Sequence, residues 1–501
     1  MGRRFRSVLA YFLFLVALVP GSWGQEAPAG VGQVFDALAA EHGGAPPAMV
    51  RLITTNPEAW YARWHMIDGA KKTIDTTYYI VDDDIFGRAF LGLLFKKAKE
   101  GVQIRLMIDS RGSKGFARTW VGQDFLQEMT EYPNVQIRIY NPVHTALLRL
   151  PEDIRSAVAS DHQKLLIVDG EWFITGGRNI SHTYMADRTE DEEAFRDCDV
   201  LIQGGAAPAQ AKVAFEEEWE KPANAHIQPD RLGNWVSRNL DLELARRVMQ
   251  AHMMGLDPVS GVTDGTLAKK LAVLQEEVAP YQGDRAYAAF RPFQGERSYP
   301  VLLLGKHSLY HNERNDITPN LQKLFDAAQT EILIQNPYVV LTDGAKAALK
   351  RASDRGVKIS IWTNSPESSD VALTQALFLR EWKGLLKDIP NLRIFAVDGH
   401  NKLHAKVFVF DRKVSVVGSY NMDSLSEEVN AEDVAVINCP GFSEMCAHRV
   451  EHDMHESVEY KIRVAADGSV EQVTGPSDHV QKKVLDLVER WSWLAFLRPL
   501  I

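Results

Sequence analysis

Cysteine is scarce in this chain of 501 residues: there are three, Cys198, Cys439 and Cys446. So few cannot staple a small disulfide-rich module, and none has the paired spacing of a zinc site. Cys439 and Cys446 could bridge in an oxidising compartment; otherwise all three read as buried apolar thiols. A basic excess is lacking too, with 56 Lys plus Arg against 66 Asp plus Glu, a formal charge of −10. Backbone-driven nucleic-acid binding draws on Lys and Arg, so the whole-chain balance speaks against a sequence-independent nucleic-acid binder. Also missing is an apolar run of the ~20 residues needed to span a bilayer as a helix. The run at 8–19 stops at Pro20.

What remains is a globular composition, 45% apolar, with length for two or three domains at ~150 residues each. Arg3, Arg4 and Arg6 precede the run 8–19, and the small residues Ser22 and Gly24 follow it. That layout reads as an export leader over 1–24. The expectation is an exported protein, periplasmic or at the outer face of the membrane, whether the leader is cleaved or kept as an anchor.

The chain says nearly the same thing twice. Residues 67–80, which run from a helix end into an alternating strand, return at 324–339. In each copy a helix-like segment follows (89–100 and 345–355), then Gly-Val (Gly101-Val102; Gly356-Val357), then another strand (103–108 and 358–362). Glycine past a helix end suits a left-handed cap, and strand, helix, strand implies a parallel pair with a right-handed crossover. The repeat continues as His162-Gln163-Lys164 with Asp169 and Gly176-Gly177-Arg178-Asn179, matched by His404-Ala405-Lys406 with Asp411 and Gly418-Ser419-Tyr420-Asn421 at identical spacing. A further carboxylate follows each copy, Asp197 in the first and Glu432 in the second. Two homologous α/β lobes are implied, joined somewhere between residues 220 and 300.

Along a strand the first and third members of His-x-Lys project to one side. Asp169-Gly170 is a type I′ hairpin signal that by itself would place an aspartate there, but Asp411 is followed by Arg412 and the other residue types recur with it. If the lobes close symmetrically, the set supplies what a resistant phosphodiester needs: a nucleophile, a proton source and cations for the non-bridging oxygens. One imidazole attacks phosphorus while the other, protonated, hands its proton to the departing alcohol and then deprotonates the incoming one. Lys164, Lys406, Asn179, Asn421 and Ser419 are candidate donors to the phosphate oxygens. Asp197 and Glu432 are candidates to orient the histidines. No metal or other cofactor is required by this chemistry.

The doubled H-x-K-x4-D with the following G-G/S-x-N resembles the phospholipase D superfamily over about residues 52–459. Within it the chain looks most like bacterial cardiolipin synthases and related phospholipase-D-like proteins, through Tyr78-Tyr79-Ile80, Gly176–Ile180, Phe195–Val200, Thr363-Asn364-Ser365 with Asp370-Val371-Ala372, and Asn430-Ala431-Glu432. The resemblance implies two pseudo-symmetric α/β/α sandwich lobes with one active site at their interface. It also implies catalysis by His162, Lys164, Asp169, His404, Lys406 and Asp411 through a phosphohistidine, with His162 as nucleophile and His404 as acid, although pseudo-symmetry leaves that order open and like charge near phosphate favours Asp169 and Asp411 as hairpin or motif-bonding residues. Gln163 and Ala405 replace the Arg or Asn common between the motif His and Lys, and neither removes a catalytic group. The substrate is then a phospholipid, phosphatidylglycerol or similar, and the acceptor is water or a headgroup alcohol. The alternatives are a nuclease on the same motif or a non-catalytic lipid-binding protein.

The division along the chain is a leader at 1–24, an N-terminal segment at 25–50, a first lobe at 51–275, a second at 276–475 and a tail at 476–501. In the tail Val484, Leu487, Val488, Trp491, Leu494 and Ala495 follow helical spacing beside Lys482, Lys483, Arg490 and Arg498. Such a stripe suits a membrane surface or the protein's own second lobe.

Overall fold

The computed structural model describes residues 29–113, 124–142, 154–229, 239–308, 314–397, 399, 402–455 and 457–476. The leader and the tail from 477 onward lie outside the described residues. Two sheets repeat one topology. The first holds β1 (Pro47–Ile53), β2 (Thr73–Tyr78), β3 (Gln103–Asp109), β4 (Val135–Tyr140), β5 (Lys164–Val168), β6 (Trp172–Gly176), β7 (Asp199–Gln203) and β8 (Ala225–His226). The second holds β9 (Ser298–Lys306), β10 (Glu331–Gln335), β11 (Lys358–Thr363), β12 (Leu392–Val397), β13 (Val407–Phe410), β14 (Val414–Gly418), β15 (Glu432–Asn438) and β16 (Ser457–Val464), with β17 (Val470–Thr474) added at its edge.

In each sheet three consecutive strands are parallel: β2, β3 and β4 in the first, β10, β11 and β12 in the second. The motif strand then returns antiparallel beside the first of the three, β5 on β2 and β13 on β10. Both motif strands are buried along their length, as continuous apolar runs between two covered faces must be. The crossovers end as their glycines require, with Gly101 at φ 90° and Gly356 at φ 88°. Asp84 caps helix Ile85–Lys99 by accepting from the Gly87 amide, which accounts for one member of the acidic run Asp82-Asp83-Asp84.

One core packs the outer helices of the first lobe on its sheet, a second does the same for the second lobe, and a third lies between the sheets. The third core takes side chains from both lobes, including Cys198, Phe215 and Trp219 of one and Leu303, Trp362 and Phe442 of the other. The architecture is therefore two-lobed α/β, layered helices, sheet, shared interior, sheet, helices. Edge pairing of β1 with β9 continues one sheet into the other. All three cysteines are free thiols, with Cys446 buried inside helix Pro440–His455.

Two boundaries differ from those read in the sequence. Helix Gly265–Val278 runs through the division at 275/276, and Val278, Tyr287, Phe290 and Phe293 still pack on the first core. The change of lobe falls between Phe293 and Ser298, where irregular sequence hid the packing. The segment 25–50 is divided as well: β1 begins at Pro47 in the first sheet, whereas helix Val31–Glu41 buries Val31, Phe35, Leu38 and Ala39 in the second lobe's core. Those residues sit at i, i+4, i+7 and i+8, one face of a helix. Phe35 is 1% exposed, so Phe35→Ala is expected to cost ~3–5 kcal/mol by loss of burial and cavity formation. Urea unfolding monitored by second-lobe tryptophans checks this, and an unchanged midpoint would mean the helix does not belong to that core.

Candidate active site

The site is built by two backbone bridges that cross between lobes. The His162 amide donates to the Ala431 carbonyl at 3.0 Å, and the Ala431 amide donates to Ser160 at 3.0 Å. The pseudo-symmetric pair runs the other way: the His404 amide donates to Arg196 at 2.8 Å and the Arg196 amide to Lys402 at 2.8 Å. Ala431 and Arg196 immediately precede Glu432 and Asp197. Each bridge therefore lays the histidine of one lobe against the carboxylate of the other.

The side chains follow. His162 Nδ1 lies 2.9 and 3.0 Å from the two oxygens of Glu432, and His404 Nδ1 lies 2.8 Å from Asp197 Oδ2. With Nδ1 as donor, each Nε2 is left with its lone pair, the tautomer that nucleophilic attack requires. Lys164 Nζ donates to the His162 carbonyl at 2.7 Å, and Lys406 Nζ sits 2.9 and 3.1 Å from the ring nitrogens of His404. Tyr79 stands edge-on to the His162 ring at 5.1 Å, and Tyr184 edge-on to His404 at 5.1 Å. His162, at 8% exposed, is the most open of the two histidines and two lysines, so the group is almost closed to solvent.

Burial sets the protonation states. Desolvation, with Lys164 and Lys406 nearby, drives the proton affinity of His162 well below the ordinary histidine value. Desolvation and Lys406 lower His404 as well, but Asp197 opposes them. Lys164 is brought down to about 8 and Lys406 to about 7, each by desolvation against nearby carboxylates. The two carboxylates diverge. Desolvation lifts Glu432 to about 7 in spite of Lys164 and two serine hydroxyls. Burial would lift Asp197 too, yet its hydrogen bond to His404 and the charges of His404, Lys406 and Arg178 hold it at about 2. A firmly ionised Asp197 offsets part of that loss, so His404 keeps a proton more readily than His162, whereas the more proton-hungry Glu432 pulls on the Nδ1 hydrogen of a neutral His162.

Several expected site residues stand elsewhere or do other work. Asp169 and Asp411 occupy the far ends of the motif strands at φ 56° and 51°. Asp169 accepts from the amides of Lys71, Lys72 and Thr73, and Asp411 from those of Gln329, Thr330 and Glu331. A strand advancing ~3.3 Å per residue carries them too far to touch a phosphate at the histidines. They anchor the strand start and the hairpin, so their placement in the catalytic set is corrected. Ser419 is corrected as a phosphate donor: its hydroxyl donates to Glu432, and the Asp433 amide donates to it at 3.0 Å. Asn179 Oδ1 accepts from the Ile80 amide at 3.0 Å, which leaves its amide nitrogen for the cleft, and the side-chain oxygen position of Asn421 is unpartnered among the described residues. Both asparagines keep their candidacy.

Sequence reading missed Ser426, whose hydroxyl donates to Glu432 Oε1 at 2.6 Å; no motif marked it. The difference between Gly-Gly and Gly-Ser in the two copies also has a cause. A Cβ on Gly177 would lie 2.1 Å from Asp197 Oδ1, so the first lobe tolerates no side chain where the second places a serine against the longer glutamate. Among the described residues no group of three or more His, Cys, Asp or Glu is placed to hold a metal ion.

Comparison with known proteins agrees with this geometry. A family model described as "Cardiolipin synthase, PLD-like domain" matches residues 64–219 and 321–454. Cardiolipin synthase C of Escherichia coli (strain K12) is 27% identical over 467 residues, covering 85% of this chain and 88% of its own. Cardiolipin synthase 1 of Bacillus anthracis is 23% identical over 425 residues, covering 84% of this chain and 69% of its own. The fold matches that of the phosphatidylserine synthase of Haemophilus influenzae Rd KW20, with a TM-score of 0.60 at 13% identity, covering 94% of this chain and all of the other.

Because Asp197 raises the proton affinity of His404, displacing it must lower that affinity further. Gly177→Ala forces the Asp197 carboxylate aside, so histidine ¹⁵N NMR should show His404 protonating at a lower pH than in the parent protein while His162 is unmoved. An unchanged His404 titration would show that the pair is not held by this cradle.

Proposed function

The chain belongs to the cardiolipin synthase family of phospholipase-D-like domains, and on that premise we propose that it is a phospholipid phosphatidyltransferase working through a phosphohistidine. The carrying observation is the crossed pair of buried imidazoles, one biased to be neutral and the other seated on an ionised aspartate. His162 Nε2 attacks phosphorus, and a P–N bond forms as the P–O bond to the leaving alcohol breaks. His404, the less depressed of the two imidazoles and protonated in its role as acid, gives that oxygen its proton. In the second half His404 takes the proton of the incoming hydroxyl, whose oxygen displaces His162 from phosphorus. Lys164, Lys406, Asn179 and Asn421 face the charge on the non-bridging oxygens.

With phosphatidylglycerol as both donor and acceptor the products are cardiolipin and glycerol; with water as acceptor the product is phosphatidic acid. The likeness to cardiolipin synthases supports the first. Work at a membrane surface after export belongs to the same reading and is supported by the leader-like residues 1–24 and the apolar stripe of the tail. No helix of the described residues is long and apolar enough to cross a membrane.

Purified protein given phosphatidylglycerol vesicles should form cardiolipin, and His162→Ala and His404→Ala should each lower the rate by ~10²–10⁴. Undiminished turnover in both variants would dispose of the mechanism, and cleavage of DNA but not lipid would favour the nuclease. The lysines add a pH dependence. Binding of an anionic phosphate needs their charged forms, and burial lowers them to about 8 and about 7. The ratio kcat/KM, which reports the free enzyme, should therefore fall as pH rises through about 7 to 8, whereas kcat should fall only at higher pH, because bound phosphate raises both lysines. Coincident alkaline limbs for the two parameters would count against that role.

A further inference from the structure

The mouth of the cleft on the His404 side carries a carboxylate that the two-step chemistry leaves unused. Asp370 is exposed and lies in the loop after β11. That loop is tied to the motif itself: Asn364 Nδ2 donates to the Leu403 carbonyl at 2.8 Å, and the Leu403 amide donates back to Asn364 Oδ1 at 2.8 Å. Leu403 immediately precedes His404, so the loop and the histidine move as one piece. A turn in which the Ser365 amide donates to Ser368 Oγ at 2.8 Å stiffens the approach to Asp370. The Tyr338 hydroxyl donates to Asp370 Oδ1 at 2.7 Å, and Asp370 has no other hydrogen bond among the described residues. Its charge reaches His404, Lys406 and the Tyr184 hydroxyl.

Since His404 must hydrogen-bond the oxygen that leaves and the oxygen that enters, whatever else that alcohol carries is presented to Asp370. A carboxylate there repels phosphate, and Lys406, which feels the charge of Asp370, opposes an ammonium. A neutral hydroxyl suffers neither penalty, and it can donate to the carboxylate while accepting from a tyrosine. We infer that Asp370, braced by Tyr338, is the acceptor subsite of the transfer reaction and binds the second hydroxyl of a vicinal-diol headgroup such as glycerol. The inference rests on the phosphatidyltransferase reading and specifies its acceptor. In the transfer step the proton of the reacting hydroxyl goes to His404, the O–P bond forms, and the P–N bond electrons return to His162. Asp370 exchanges hydrogen bonds only, so it is a specificity residue.

The test uses the full chain, phosphatidylglycerol vesicles as donor, and deuterated glycerol, 1-propanol or ethanolamine as competing acceptors, with products counted by mass spectrometry. The parent protein should favour glycerol over 1-propanol, which lacks the second hydroxyl. Asp370→Ala and Asp370→Asn should each lower that preference about tenfold, as expected for a lost hydrogen bond to a charged group. An equal loss with both alcohols, or a parent that does not distinguish them, would overturn the subsite. A preference for ethanolamine that disappears with Asp370 would replace the diol by an ammonium and likewise overturn it. A parent protein that consumes no lipid with any acceptor or with water would bring down the transferase reading itself, and this inference with it.

Discussion

Everything in the site depends on each imidazole finding its carboxylate in the opposite lobe. Closing the lobes buries His162 and Asp197 at their interface, and without the exchange His162 would have no anion on Nδ1 and Asp197 no imidazole. Both are costly states, since a buried carboxylate loses hydration that only hydrogen bonds and opposite charge replace. The exchange of partners removes both costs at once and ties catalytic competence to lobe closure. The parallel bridges at Ala431 and Arg196 make the exchange a matter of backbone register rather than of flexible side chains. A second carboxylate reinforces it from behind, because Asp453 of the second lobe takes Arg196 as an ion pair while accepting from Gln335 at 2.7 Å.

A two-fold arrangement would give two equivalent histidines, and equivalent histidines cannot act as nucleophile and acid in the same step. The chain breaks the equivalence with small substitutions around a symmetric frame. Aspartate against glutamate, glycine against serine, and an added hydroxyl from Ser426 give Glu432 two serine hydroxyls that Asp197 does not have, while Asp197 has the buried Arg178 near it. Lys306 is a further asymmetry, a cation that tempers the rise at Glu432. It stands opposite Glu432 in the β9–β15 register and donates to the Asn430 carbonyl at 2.6 Å. The roles follow from surroundings, not from the motif letters, which are the same in both copies.

That contrast explains what could be read before the structure was known. Doubling was legible, as were the parallel triplets, the glycine helix ends and the eight residues His162, Lys164, Asn179, Asp197, His404, Lys406, Asn421 and Glu432, because each leaves a trace in spacing or in strand alternation. Crossing of the pairs was not, since spacing along the chain says nothing about which lobe a side chain will meet. Asp169 and Asp411 read from their own chemistry as hairpin residues and entered the catalytic set only through the family resemblance; their recurrence reflects a structural job done twice, holding the amides at a strand start, and recurrence alone does not separate that from catalysis. Helix Val31–Glu41 shows the same limit, its apolar face being plain in the sequence and its attachment to the more distant lobe not.

The buried lysines complete the logic of the cleft. An ammonium kept from water is held near its deprotonation point even with carboxylates nearby, so the empty site carries less positive charge than its composition suggests. Arrival of a phosphodiester changes that balance, because its two non-bridging oxygens supply the anion that Lys164 and Lys406 lack, and each lysine is driven back to its charged form as the substrate seats. Protonation of the lysines and binding of the phosphate are thus one coupled event. The cost of creating cations in a dry site is met only by a ligand that is itself anionic and correctly placed between the two histidines. Discrimination between phosphodiesters and neutral esters is thereby built into the electrostatics of the interface, leaving the choice among alcohols to the groups at its mouth.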